Sequence, residues 1–507
     1  MSLACVYSRA RLGLDAPLVS VEVHLANGLP AFNIVGLPET SVRESKDRVR
    51  SAILNCGYEF PAKRITINLA PADLPKEGGR FDLPIAVGIL AASEQIVSQG
   101  LSQYEFAGEL ALSGELRPVI GEIPMAIACN KAGRALIIPA QNAEQASWVK
   151  DAKIYELKHL SELYGHLLQQ QSLPLVAAKP STAYQLDYQQ DMNDVIGQPL
   201  AKRALELAAS GGHNLLFIGP PGTGKTMLAS RLPGILPQMT QAEALEVAAL
   251  QSISHGVIEQ KSWLTRPFRA PHHTASSAAL VGGGSQPKPG EISLAHHGVL
   301  FLDELPEFER KVLDVLREPM ESGEVTISRA LQKQTYPAQF QLVAAMNPSP
   351  TGFYNDNRSS PEQVLRYLNR LSGPFLDRID IQIEVARLPR GMWSKHLADS
   401  ESSEQIRQRV QQCRAVQLSR QGKANAQLTS TELLTYCKLC KDDTEFLELA
   451  VEKLGLSTRA HHKILKIART LADMEGEQNI LHAHLIEALS YRAMDRILRH
   501  LTDAVTV

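Results

Sequence analysis

The first part of the chain alternates apolar and polar residues at the period of a β-strand. Apolar residues at positions 19, 21, 23 and 25 are separated by polar ones, which predicts a half-buried strand. Apolar runs at 32–36 and 65–69 predict further strands, and residues 41–56 carry charges on one face of a helix and apolar residues on the other. This mixture predicts an α/β domain over residues 1–168.

Farther along, short apolar runs alternate with helical segments. Residues 191–390 follow this pattern, which is typical of a parallel sheet covered by helices. Residues 391–507 are predicted to be an all-helical region, with 459–474 and 481–498 as amphipathic candidates. Residues 169–190 show no period and predict a linker. We therefore expect an α/β protein with a C-terminal helical lid.

Composition narrows the class of protein. The 507 residues carry a formal net charge of −2 and are 44% hydrophobic. These values fit a globular chain and exclude a uniformly basic surface, although a local basic loop stays open. The N-terminus is too short and polar for a signal peptide, and no apolar run approaches the ~20 residues that span a bilayer. Six cysteines do not make a disulfide framework, so we expect a cytoplasmic protein with no membrane partner.

One pair of cysteines has metal-ligand spacing. Cys437 and Cys440 form a CxxC, and Cys413 with His461 or His462 would complete four zinc ligands. The sequence holds no second CxxC. We expect ordinary thiols on buried helices, with zinc as the alternative.

A glycine-rich loop lies between an apolar run and a helix. In this context the pattern GxxxxGK[ST] predicts an ATP site, because glycines let backbone N–H groups turn toward phosphates and the helix N-terminus adds partial positive charge. Lys225 is expected to reach the β- and γ-phosphates, and Thr226 to bind Mg²⁺. The whole loop consists of Gly219, Pro220, Pro221, Gly222, Thr223, Gly224, Lys225 and Thr226.

Two later apolar runs end in polar residues that complete this chemistry. One ends at Asp303 and Glu304, and the next at Asn347. We expect Asp303 to hold Mg²⁺ together with Thr226, and Glu304 to be the general base for the attacking water. Asn347 is expected to orient that water. The alternatives are an acidic helix cap and an ordinary Asn-Pro turn.

The order and spacing of these elements resemble the AAA+ ATPases. Residues 317–321, followed by a hairpin expected through 325–335, are similar to the branch that contains magnesium chelatase and the MCM helicases. In that branch the hairpin projects into the pore of a ring. The resemblance therefore implies a ring-forming ATPase with pore-facing loops.

The same resemblance assigns roles to three arginines. It implies that Arg378, within 375–380, is an arginine finger that reaches the γ-phosphate of the neighbouring subunit, with Arg370 as a second candidate. It also implies that Arg459 is a sensor 2 residue near the nucleotide. Considered as chemistry alone, each arginine also suits a surface ion pair.

Five further motifs carry a closer likeness, at 36–40, 68–76, 269–274, 280–284 and 289–296. They narrow the resemblance to the ComM/YifB group of magnesium-chelatase-like proteins, over essentially the whole chain. The resemblance implies a hexameric, ATP-driven DNA motor that promotes branch migration when single-stranded DNA is integrated during natural transformation. Its implied partners are single-stranded and branched DNA, with recombination proteins as further candidates.

Two pairs of adjacent histidines are candidate metal ligands, one at 272–273 and one at 296–297. Adjacent side chains in an extended segment point in opposite directions, so we expect the two rings of each pair to lie apart. Loop or core hydrogen bonding is therefore favoured over metal ligation.

The N-terminal domain resembles the Lon-protease fold but lacks its catalytic pair. Arg80 stands where such proteases carry the nucleophilic serine, and Pro124 stands where they carry the lysine. Neither side chain can attack a carbonyl group, so we expect no peptidase activity. The domain is expected to bind DNA or to brace the ring. Its candidate phosphate contacts are Lys63, Arg64, Lys76 and Arg80, with solvated surface charges as the alternative.

Basic residues on two inserted loops are the candidates for contacts with DNA in the pore. They are Lys288 in the loop 282–290, and Arg329 and Lys333 in the hairpin. Such side chains grip phosphates without reading sequence. Three functions stay open: a DNA translocase and branch-migration helicase, a chelatase-type motor that remodels a protein partner, and a disfavoured ATP-dependent peptidase.

Overall fold

A computed structural model describes residues 2–37, 39, 42, 44–168, 170–177, 190–255, 263–284, 287–328, 333–353, 359–389 and 401–506. They form two compact units. The first lies within Met1–Gln185, Gln241–Trp263 and Ser328–Tyr336, and the second within Leu186–Thr240, Leu264–Ile327 and Pro337–Val507. Two segments from the predicted domain 191–390 therefore belong to the first unit.

A seven-stranded sheet forms the centre of the first unit, in the order β3-β4-β2-β1-β5-β8-β9. Strand β2 is antiparallel to both β1 and β4, and the other neighbours are parallel. The predicted alternation is confirmed, since positions 19, 21, 23 and 25 are buried. The strands up to residue 157 are β1 Ser2–Arg9, β2 Leu18–Ala26, β3 Ala31–Val35, β4 Arg64–Ala70, β5 Tyr104–Phe106, β6 Glu109–Leu110, β7 Leu116–Arg117, β8 Ala135–Pro139 and β9 Ile154–Leu157.

Helices pack against this sheet, and the helix predicted at 41–56 is present as α1. The helices up to residue 167 are α1 Ser45–Asn55, α2 Asp82–Ala92, α3 Glu122–Lys131, α4 Ala140–Ala146 and α5 Glu162–Leu167. Every residue of α2 is buried. A glycine permits this close approach, because a Cβ on Gly88 would lie 2.5 Å from Cγ2 of Val23 in the sheet.

The second unit contains a five-stranded sheet in the order β11-β14-β17-β10-β18, and all neighbouring strands are parallel. Their carboxyl ends therefore meet at one edge. The strands from residue 215 onward are β10 Leu215–Ile218, β11 Phe268–Arg269, β12 Gly282–Gly283, β13 Lys288–Pro289, β14 Val299–Leu302, β15 Glu324–Ser328, β16 Lys333–Pro337, β17 Gln341–Met346 and β18 Ile381–Glu384.

The C-terminal helices share one hydrophobic core with this sheet. Phe217 of β10 and Val343 of β17 belong to the same buried cluster as Ile464 and Leu485 of the helical region. The helices from residue 199 onward are α6 Pro199–Gly211, α7 Lys225–Ile235, α8 Gln241–His255, α9 Ser277–Val281, α10 Glu291–Leu294, α11 Arg310–Val315, α12 Pro319–Ser322, α13 Pro361–Leu368, α14 Gly373–Leu376, α15 Ser403–Gln421, α16 Ser430–Tyr436, α17 Lys441–Leu454, α18 Thr458–Glu475, α19 His482–Ser490 and α20 Ala493–Thr506.

The amphipathic segment 481–498 is two helices rather than one. The chain leaves the helix between α19 and α20 because the carbonyl group of Tyr491 accepts a hydrogen bond from the backbone N–H of Gln382 in β18, at 2.8 Å. The structure confirms a mixed α/β fold with a parallel core and a helical C-terminal region. In the part of the chain described above, each helix is too short or too polar to cross a bilayer.

Candidate nucleotide-binding site

The glycine-rich loop joins β10 to α7 at the carboxyl edge of the parallel sheet. Gly222 and Gly224 have φ angles of +76° and +89°, which only glycine adopts readily. Gly219 lies against the backbone that follows β18, since a Cβ there would be 2.4 Å from the carbonyl oxygen of Val385. The loop conformation therefore depends on glycine for two different reasons, backbone angle and close approach.

Lys225 is the first residue of α7 and its side chain folds back over the loop. Its Nζ donates to the carbonyl oxygens of Gly219 at 2.6 Å and Pro220 at 3.0 Å, and to Oδ1 of Asn347 at 3.2 Å. Burial lowers the pKa of Lys225, an effect that the nearby carboxylates of Asp303 and Glu304 oppose. The structure thus brings the predicted phosphate-binding lysine and the predicted water-orienting amide to one point.

The two predicted Mg²⁺ ligands are in direct contact. Oγ1 of Thr226 donates to Oδ2 of Asp303 at 2.6 Å, and Oδ1 of Asp303 accepts from the backbone N–H of Glu304 at 2.9 Å. A hydroxyl and a carboxylate oxygen next to a phosphate loop are the hard ligands that Mg²⁺ prefers. The residues present therefore fit a nucleotide-bound Mg²⁺.

Glu304, the candidate general base, is paired with a histidine that the sequence did not identify as functional. Oε2 of Glu304 lies 3.2 Å from Nδ1 of His273, which follows β11. The backbone of Glu304 has a φ of +51°, and its side chain is half exposed. Because β11 lies beside β14 in the sheet, the two segments meet at its carboxyl edge. Only the order of strands in the sheet reveals this pair.

The expectation that the rings of each histidine pair lie apart is wrong. The ring centroids of His272 and His273 are 4.1 Å apart, and those of His296 and His297 are 3.8 Å apart. At the second pair the backbone is not extended, since His297 has a φ of +54°. Nδ1 of His296 accepts from the backbone N–H of Gln339 at 3.0 Å, which agrees with the expected core hydrogen bonding.

Two of the three candidate arginines share one carboxylate. Nη2 of Arg378 lies 2.6 Å from Oε1 of Glu321, and Nη2 of Arg459 lies 4.0 Å from the same oxygen. Nη1 of Arg378 also donates to the carbonyl oxygen of Pro374 at 2.6 Å. The finger candidate and the sensor 2 candidate therefore form a cluster around Glu321, which sequence reasoning missed.

Arg370, the second finger candidate, lies beside the segment that follows Glu304. Its Nη1 is 3.3 Å from Oε2 of Glu307 and 3.3 Å from the carbonyl oxygen of Pro306. Its side chain is 55% exposed. This contact suits the surface ion pair that the sequence left open as an alternative.

The segment 375–380, which carries Arg378, is anchored at its last residue, Asp380. Asp380 is buried, and its Oδ2 accepts from the backbone N–H of Asn214 at 2.9 Å. Its Oδ1 pairs with Nζ of Lys463 from α18 at 2.5 Å. The adjacent Lys463 ammonium and the nearby His213 ring, whose Nδ1 lies 3.7 Å from Oδ2, hold the pKa of Asp380 well below its usual range, despite burial. Arg378 is therefore two residues from a fixed point of the second unit.

The loop candidates for DNA contact are only partly described. Lys288 is exposed in β13, which pairs with β12, and Lys333 is exposed in β16. The segment predicted to be a hairpin, 325–335, contains parts of the strands β15 and β16. Arg329 lies outside the described residues.

Two of the four phosphate contacts proposed for the N-terminal domain are wrong. Lys76 and Arg80 are buried, and they donate to the carbonyl oxygens of Pro71 and Ile120, respectively. Burial lowers the pKa of Arg80 to about 10. The two cations donate hydrogen bonds to carbonyl groups inside the domain, and their burial keeps them from a phosphate at its surface. Lys63 and Arg64 are exposed, so that part of the prediction stays open.

The described cysteines are not grouped as the zinc alternative requires. Burial raises the pKa of the Cys437 thiol to about 12, as is usual for a cysteine packed in a hydrophobic core. Cys440 lies at the start of α17, and its Sγ donates to Oδ2 of Asp443 at 3.2 Å. Among the described residues, no cysteine belongs to a group of three or more potential ligands close enough to hold one ion.

Comparison with known families places three matches along the chain. The model for magnesium chelatase, subunit ChlI, matches residues 191–392. A model for subunit ChlI of Mg-chelatase matches residues 21–142, and the model for the C-terminal part of magnesium chelatase subunit ChlI matches residues 400–492. These matches cover the candidate site, the N-terminal domain and the helical region.

Individual proteins are similar over the whole chain. Competence protein ComM of Haemophilus influenzae is 58% identical, across 99% of this chain and 100% of that protein. The uncharacterized protein YifB of Escherichia coli is 55% identical, across 100% of both chains. The magnesium-chelatase 67 kDa subunit of Chlorobaculum parvum is 28% identical across 31% of this chain and 23% of that protein.

Proposed function

Since the chain belongs to the ComM/YifB family of magnesium-chelatase-like proteins, we propose that it is a hexameric ATP-driven DNA translocase that promotes branch migration during natural transformation. The observation that carries the ATPase part is the meeting of Lys225, Asn347, Thr226 and Asp303 at one edge of a parallel sheet. The role in transformation is supported by the 58% identity to a protein named competence protein ComM.

In this proposal, each residue of the site has a separate role in ATP hydrolysis. Loop N–H groups and Lys225 bind the phosphates, and Lys225 exchanges its loop carbonyl partners for phosphate oxygens. Thr226 and Asp303 would hold Mg²⁺, which would neutralise phosphate charge when bound. Glu304 takes a proton from the attacking water, which Asn347 orients toward the γ-phosphorus. His273 fixes the direction in which the carboxylate of Glu304 points.

Arg378 completes the site of the neighbouring subunit. The described contacts of its guanidinium are with Glu321 and Pro374, which both lie outside the glycine-rich loop of its own chain. A guanidinium supplied across an interface can contribute ~10³–10⁵ in rate in other nucleoside triphosphatases. Hydrolysis then requires assembly of the ring, and Arg459 acts beside Arg378 at the same interface.

A synthetic four-way DNA junction tests the proposal. With ATP, the wild-type protein is expected to separate the junction into duplex arms. Lys225→Ala is expected to lose ATP binding, and Glu304→Gln to bind ATP but to hydrolyse it at least ~10²-fold more slowly. Junctions that stay intact with active wild-type ATPase, across a range of salt concentrations, would contradict branch migration.

The exposed lysines on the inserted strands test the contact with DNA. Lys288→Ala and Lys333→Ala are expected to weaken binding about equally for all sequences and to reduce the dependence of binding on salt. The matched control is Lys311→Ala, an exposed lysine outside both loops. Equal effects in all three variants would argue against a specific path for DNA.

The second candidate function is a chelatase-type motor that remodels a protein partner. It is favoured by the matches to magnesium chelatase subunit ChlI. ATPase rates measured with and without DNA distinguish the two functions. DNA is expected to raise the ATPase rate of a DNA motor and to leave that of a protein remodeller unchanged. A peptidase is disfavoured, since Arg80 and Pro124 stand at the positions of the catalytic pair and Arg80 is buried.

A further inference from the structure

The candidate finger already has an anionic partner within its own subunit. Glu321 lies 2.6 Å from Nη2 of Arg378, and the opposite Nη1 is bonded to the carbonyl oxygen of Pro374. The side chain of Arg378 is only 11% exposed, whereas that of Glu321 is 56% exposed. A phosphate that approaches Nη2 must therefore compete with a carboxylate that can swing away into solvent.

The same carboxylate faces a second guanidinium. Oε1 of Glu321 is 4.0 Å from Nη2 of Arg459, which lies at the start of α18. An anionic oxygen between two guanidinium groups has the arrangement that a phosphate oxygen makes with an arginine pair. Glu321 thus occupies, within one chain, the position of an anion between these two arginines.

We infer that Glu321 is an intramolecular stand-in for the γ-phosphate of the neighbouring subunit and that it opposes engagement of the finger. This inference rests on the proposed function, in which Arg378 acts across a subunit interface. In the isolated subunit, Glu321 neutralises one of the two positive charges. When a neighbour presents bound ATP, the more highly charged phosphate displaces the carboxylate. Glu321 therefore sets how much ATP and how much protein are needed for hydrolysis.

Glu321→Gln tests this role, because it removes the charge and keeps the shape of the side chain. The half-saturating concentrations of ATP and of protein in an ATPase assay are expected to fall about two- to fivefold, the range of an exposed ion pair. The maximal rate is expected to stay within about twofold of wild type. Glu318→Gln is the matched control, because it makes the same charge change at an exposed residue three positions earlier and is expected to behave as wild type.

Two results would overturn the inference. One is unchanged half-saturation by both ATP and protein. The other is a fall of about tenfold in the maximal rate without a change in half-saturation, which would show that Glu321 orients the arginines for catalysis. If instead the proposed function fails, Arg378→Ala keeps wild-type turnover, which distinguishes that failure from failure of the role of Glu321. An enzyme that needs Arg378 but is indifferent to Glu321→Gln contradicts only the role of Glu321.

Discussion

Glu304 is the proposed general base, and its proposed role depends on the direction of its carboxylate, which is paired with His273. Glu304 lies on a backbone with positive φ, and its side chain is half exposed, so the pairing with His273 restricts a carboxylate that is otherwise partly open to solvent. A base oriented by a third group recurs in hydrolytic enzymes, because proton transfer requires one productive geometry. Nδ1 of His273 is at hydrogen-bond distance from Oε2 of Glu304, 3.2 Å.

His273→Ala is therefore expected to lower kcat for ATP about tenfold, less than the ~10²–10⁴ contributed by a general base itself. The half-saturating ATP concentration is expected to stay unchanged, because the described contacts of His273 are with Glu304 and His272, which lie outside the proposed phosphate loop. His273→Gln keeps a donor and is expected to retain most activity. The control is His272→Ala, whose ring bonds Thr274 at 2.9 Å instead. Equal losses at both positions in steady-state kinetics would refute the orienting role.

Among the elements, the turn from β10 into the phosphate loop is limited by space. A Cβ on Gly219 would lie 2.4 Å from the backbone oxygen of Val385, which cannot move without disturbing the end of β18. Gly219→Ala is therefore expected to weaken ATP binding about 10–100-fold, although Lys225 and Thr226 remain. The dissociation constant of a fluorescent ATP analogue measures this loss of affinity. Gly373→Ala is the control, since a Cβ there meets no atom within 4 Å; normal binding by Gly219→Ala would show that the loop has freedom to shift.

At the scale of the whole molecule, a finger supplied by the neighbour predicts complementation between two inactive variants. Lys225→Ala subunits cannot bind ATP but keep Arg378, and Arg378→Ala subunits bind ATP but lack the finger. Mixing them is expected to restore ATPase activity at those interfaces where an intact nucleotide loop faces an intact finger. Each variant alone, at the same total concentration, is the control. A mixture as inactive as its components would place Arg378 in the site of its own subunit, or outside catalysis.

The nucleotide loop and the strands that carry it were predictable because their signal is local. A glycine-rich segment of fixed spacing determines its own backbone, and apolar runs before residues 219, 303 and 347 are buried strands of one sheet. Parallel pairing then brings their ends together. The residues that were predicted wrongly depend on burial rather than on local sequence. Lys76 and Arg80 carry charge, which usually means exposure, yet they are buried where interior carbonyl groups accept their hydrogen bonds.

The sequence by itself thus determined the α/β class and predicted the glycine-rich loop and the residues that meet beside it, since short-range spacing specifies each of these. Only the tertiary structure decided which partner each reactive side chain has. His273 meets Glu304, and Glu321 meets both Arg378 and Arg459, because the packing of strands and helices joins segments that are remote along the chain. No local pattern encodes such a contact, since it depends on the positions of two elements at once.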